Sequence, residues 1–127
     1  CRKHARAYLD GLARKVVVAG RCELDHRALG IACDGRIQIL HGLDRDEDGV
    51  RWDTRNLFSG CGAANIWGHN NKRRWFAYVR DFRGADVYDE LCRLADECAS
   101  GRTKVDYAEV ERTLLASLAL TTEAGPE

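Results

Sequence analysis

The chain has 127 residues, 45% of them hydrophobic, and its twenty basic and twenty acidic side chains cancel to zero formal charge. That length suits one domain burying roughly two-thirds of its unfolded surface. The charge balance leaves no global field to recruit nucleic acid or an anionic membrane, so nucleic acid is not expected among the partners.

The first element expected is a helix over residues 2–14, where Ala5, Tyr8, Leu9 and Leu12 share one stripe. The β-branched run KVVVAGRCEL, residues 15–24, predicts a strand, and GRIQILHGL, residues 35–43, predicts a second, half-buried one. LDRDEDGVRW, residues 43–52, follows. Asp44, Asp46, Asp48 and Gly49 spell the opening half of a calcium loop, but its twelfth position is Arg55, which supplies no oxygen. Asp48-Gly49 lies between strand candidates and is expected to be a hairpin turn. No metal is expected, and Asp44, Asp46 and Asp48 stand as the calcium candidates.

WFAYVRDF, residues 75–82, alternates well enough to predict a strand with Trp75, Ala77 and Val79 on one face and Phe76 and Tyr78 on the other. Asp86 can cap a helix carrying Val87, Leu91, Leu94 and Cys98 on one stripe as far as Ser100 and Gly101. Asp106 and Glu109 make a capping box before Val110, Leu114, Leu115 and Leu118. Residues 1–120 therefore form a single α+β domain, a small antiparallel sheet of three or four strands with two or three helices packed on it as an α/β sandwich. Residues 121–127 are expected to fray. No stretch approaches the ~18 apolar residues of a membrane span, so no transmembrane segment is expected. Without Met or a signal-like core, the chain reads as a processed product beginning at Cys1.

Six cysteines (Cys1, Cys22, Cys33, Cys61, Cys92, Cys98) occur without any CxxC pair. Such dispersal points to disulfides and a secreted protein. The alternatives are reduced cytosolic thiols acting as small hydrophobes, or zinc held by Cys1 with His4 and Cys22 with His26, whose spacings lack the paired-knuckle pattern. The chain has no Gly-rich phosphate loop, HExxH or GxSxG, and its four histidines have no nucleophile at a motif spacing. Neither an enzyme nor a cofactor is expected. The densest interleaving of cations and aromatics falls in residues 70–83, which makes Lys72, Arg73, Arg74, Trp75 and Tyr78 the expected binding surface.

From residue 33 to 91 the run C...RIQI...DGVRW...RNLFSGCGAANIWG...RWFAYV...ADVYDEL resembles the fungal killer-toxin and necrosis-inducing effector superfamily, with Cys33, Trp52, Leu57, Cys61, Phe76, Val79, Asp86 and Val87 in the matching places. It departs from that pattern in lacking the closing strand with a terminal cysteine, in adding a helix over 106–119, and in the long insertion at 65–74. The resemblance implies a small secreted α/β sandwich with Cys33 paired to Cys61. Such a protein acts by binding a protein, glycan or membrane-surface target on another cell, without catalytic residues. The alternative is an intracellular subunit or adaptor with reduced cysteines, whose helical C-terminus packs on a partner.

Overall fold

A computed structural model describes residues 2–18 and 20–124. The opening stripe does not stop at Arg14. Leu9, Leu12, Ala13 and Val16 continue at helical spacing against Trp52, Leu57 and Leu114, and helix α1 runs Arg2–Val17. The expected strand at 15–24 is thus absent among the described residues, because packing outweighs the modest β preference of the valines. A short helix, α2 (His26–Leu29), follows; Asp25 caps it by accepting from the amides of Arg27 and Ala28, and Gly30 closes it at φ 72°.

Strand β1 (Ile37–His41) pairs antiparallel with β2 (Leu57–Cys61), with Ile37 opposite Cys61 and His41 opposite Leu57. The ribbon is joined through residues 42–56, so Val50 and Trp52 do not begin a strand. They are core residues of the connection. Asp48-Gly49 does lie in its turns, although Gly49 is required there for another reason: a Cβ would sit 2.6 Å from the Leu94 carbonyl oxygen and 2.8 Å from Cys98 Cβ. Close approach of the loop to a helix, not left-handed backbone, demands glycine. Asn56, wholly buried, pins the connection by accepting from the Leu43 amide at 2.7 Å and donating to the Val50 carbonyl at 3.2 Å.

After β2 the chain is helical: α3 (Gly62–Asn70), α4 (Lys72–Arg83), α5 (Ala85–Ala99) and α6 (Tyr107–Ala124). The segment expected as a strand at 75–82 lies inside α4. Trp75 and Val79, four apart, are its buried residues, a spacing that also satisfies a two-residue period over so short a window. The sheet accordingly has two strands among the described residues rather than three or four, and the class is α+β with a small antiparallel sheet. Residues 85–99 and the capped start of α6 form as the stripes require, with Asp106 accepting from the Glu109 amide. The backbone of α6 reaches Ala124, and residues 125–127 lie outside the described residues.

Every residue of β2 is buried. Leu57 packs with α1 and α6, whereas Phe58 packs with Leu40, Trp75 and Val79. The ribbon is therefore covered on both faces. A third cluster, Leu43, Val50, Leu91 and Ala95, seats the 42–56 connection on α5. No helix among the described residues is long and apolar enough to cross a membrane.

Candidate metal centre and adjoining cleft

Four side chains distant in sequence meet where the α1–α2 connection touches the end of the ribbon. Cys22 comes from the connection, His26 opens α2, Cys33 follows its glycine cap, and Cys61 ends β2. Each places one ligand atom so that all four lie within 4.8 Å of one another. Cys22 Sγ is 3.1 Å and Cys61 Sγ 4.0 Å from His26 Nε2. A tetrahedral zinc with bonds of about 2.0–2.3 Å places its ligand atoms about 3.5–3.8 Å apart, so the cluster needs only small shifts to close on an ion.

The local sequence fixes each ligand. Cys61 is fully buried at the N-terminus of α3, where its sulfur accepts from the Ala64 amide. Asp25 orients the first turn of α2, and its own amide donates to the Tyr78 hydroxyl at 2.9 Å. Glu23 ties the connection to β2, accepting from the Ser59 amide through its side chain while its own amide donates to the Ser59 carbonyl. Burial, followed by the neighbouring Cys61 and Cys33, pushes the Cys22 thiol up to about 11. A divalent metal beside the Cys22 sulfur would reverse that logic and favour its thiolate.

Cys33 and Cys61, the pair implied by the resemblance, are indeed neighbours. They stand as free thiols alongside a third cysteine and a histidine. Of the zinc alternative, Cys22 and His26 belong to the cluster, His4 is exposed on α1, and Cys1 lies outside the described residues. Cys92 and Cys98 are on α5 and do not belong to the converging set. The missing signal was a three-ligand run, Cys22-x3-His26-x6-Cys33, completed by a strand-borne cysteine far downstream. No CxxC knuckle marks it.

The acidic loop does not gather its carboxylates. Asp44 pairs with Lys72 at 3.1 Å and Asp48 with Arg6 at 2.7 Å, and Arg55, in the twelfth position, pairs with Asp53. Among the described residues, the Cys/His set is the one group of three or more metal-capable side chains that converges.

The expected binding surface is split by the helical geometry of α4. Trp75 is buried, donating from Nε1 to the carbonyls of His41 and Gly42, and Tyr78 stacks on it with centroids 5.6 Å apart. Arg73 and Arg74 are exposed, while Lys72 turns to the rim of a cleft of about 430 Å³.

That cleft runs along β1 between α1 and α3, and none of the four metal-centre residues lines it. Asp10, His41, Arg45, Arg51, Asn65 and Lys72 carry its chemistry. Burial and the positive charges of Arg45 and Arg51 push His41 down to about 4, while the negative charge of Asp10 and the nearby Arg51 main chain oppose the shift. The ring is neutral at physiological pH. A neutral imidazole carries one donor and one acceptor nitrogen. Comparison with protein-family models, with curated proteins and with solved structures finds no match to this chain.

Proposed function

We propose that the chain is a zinc-stapled domain that works with its cysteines reduced, and that its working surface is the cleft beside His41. The convergence of Cys22, His26, Cys33 and Cys61 within 4.8 Å carries the first half of this reading. All four positions are supplied by protein, the arrangement of structural rather than catalytic zinc. Its job is local. Between α1 and β1 the four-residue α2 is the only regular structure among the described residues, and a metal that binds only the folded arrangement contributes its binding energy to fastening that segment on the ribbon.

The cleft supplies the chemistry. A neutral imidazole can take a proton from water or a hydroxyl through its unprotonated nitrogen, as a weak base while the ring is held near 4, and cations around it stabilise negative charge that builds during reaction. Hydrolysis of an anionic ester, a phosphate ester first among them, is the reaction class that fits this pairing. Turnover of bis(p-nitrophenyl) phosphate by the zinc-loaded chain, lost in His41→Gln at unchanged melting temperature, is the expected result. Equal rates in both proteins reject the role of His41.

A second reading follows from the closeness of Cys33 and Cys61. In an oxidising compartment the same two sulfurs can pair, giving the secreted toxin-type binding protein that acts on a target of another cell. Mass analysis of unreduced protein separates the two: zinc with free thiols supports the first reading, and a Cys33–Cys61 disulfide without metal supports the second.

A further inference from the structure

We infer that the cleft contains a built anion subsite, in which Arg45 takes a phosphate group of the ligand and Asp10 is the positioning residue that holds Arg45 ready. The inference rests on the reading of this cleft as the working surface.

The observation is a charge imbalance on one carboxylate. Asp10 Oδ1 accepts from Arg51 Nε at 3.0 Å and from Trp52 Nε1 at 2.9 Å. Its Oδ2 accepts from Arg51 Nη2 at 2.7 Å and from Arg45 Nη2 at 3.1 Å. One negative charge thus faces two guanidinium groups. The two arginines are not equivalent. Arg51 has a side chain only 8% exposed and grips Asp10 with two nitrogens, so burying it already requires this carboxylate. Arg45 has a side chain 65% exposed and makes a single, longer contact. It is the surplus cation.

The rest of the lining does not cancel that surplus. Lys72 and Asp44 neutralise each other across the rim, with Nζ 3.2 and 3.1 Å from the two carboxylate oxygens. Asp46 and Asp48 act on Arg51 from a distance but do not line the cleft, and Asp48 is engaged by Arg6. His41 and His69 add imidazoles. A guanidinium with unused donors in a concave site suits a tetrahedral oxyanion, which it can hold through two parallel hydrogen bonds. Asp10 keeps Arg45 over the cleft until such a group takes it. The same event neutralises one of the two cations that depress His41, so occupancy strengthens the base beside the ligand.

The shared chemistry is a phosphate group, borne by a small ester or by a phosphodiester chain. The test is an NMR titration of the zinc-loaded full chain, first with inorganic phosphate and then with a short single-stranded oligonucleotide, following the His41 ring and the Trp52 indole at physiological ionic strength. We expect saturable shifts at both, a rise in the His41 midpoint when phosphate is present, and at least tenfold weaker binding in Arg45→Ala with only partial rescue in Arg45→Lys, which restores the charge but not the paired donors. Tighter binding of the oligonucleotide assigns the source as a phosphodiester chain, and equal affinity assigns a small ester. Wild-type affinity in Arg45→Ala overturns the role of Arg45 alone. No saturable response in the wild-type protein overturns the subsite and leaves hydrolysis at His41 to be judged by its own turnover assay.

Discussion

Removing the side chain of Asn56 should cost the fold more than any exposed substitution. Asn56 is 0% exposed, and its amide satisfies two main-chain groups at once, the Leu43 N–H and the Val50 carbonyl. In Asn56→Ala both are left in a dry interior, and each unsatisfied group costs about 1–3 kcal/mol. Partial relaxation of the 42–56 connection recovers some of this, so we expect a loss of about 3 kcal/mol, equivalent to roughly 10–15 °C in melting temperature for a domain of this size. Urea unfolding of the zinc-loaded protein, followed by tryptophan fluorescence, measures the loss directly. The reasoning also specifies which helix suffers: Leu43 and Val50 dock on α5 through Leu91 and Ala95, so amide exchange should accelerate there before it does in α1. A loss below about 1 kcal/mol, the net worth of one ordinary hydrogen bond, would refute the pinning role of Asn56.

Three other outcomes follow. Because the folded protein holds His41 at about 4, below the ordinary 6.5, the unfolded chain binds the extra proton between those values; stability is complete above pH 6.5 and falls as pH drops toward 4, by up to about 3 kcal/mol. The wild-type minus His41→Gln difference over that window, at matched zinc content, isolates this contribution, and parallel curves would exclude it. Gly49→Ala must push against the Leu94 carbonyl oxygen at 2.6 Å and should lose about 1–3 kcal/mol; a neutral effect in thermal unfolding would mean that the loop can lift from α5. Tyr78→Phe removes the acceptor for the Asp25 amide and should loosen α2 by about 1 kcal/mol, seen as faster exchange of the Arg27 and Ala28 amides.

Several elements were legible because one signal dominated. The stripes of α1, α5 and α6 fix helices, and the Asp106 cap marks the start of α6 where expected. β1 also forms as the apolar run implies. WFAYV was misread because Trp75 and Val79 suit both periods, and only the packing of α4 on Phe58 and Leu40 decides between them. The surface expected from composition loses Trp75 for the same reason: a helix sends Trp75 inward and leaves Lys72, Arg73 and Arg74 outward. The Cys/His cluster is half visible in the sequence. Cys22 and His26 were paired as a zinc possibility, but Cys61 joins them only through the β1–β2 ribbon, a non-local pairing that spacing cannot encode. Asp10 carried no signal at all; its importance arises from a loop that brings Arg45, Arg51 and Trp52 to one carboxylate on α1.

The central claim is the zinc staple, and metal analysis of the protein purified without added metal under reducing conditions tests it most directly. The account predicts one zinc per chain, lost in Cys61→Ser, with Cys22, Cys33 and Cys61 shielded from alkylation until a chelator removes the ion and lowers the melting temperature. A chain that is metal-free, melts at the same temperature with or without chelator, and joins Cys33 to Cys61 would contradict it.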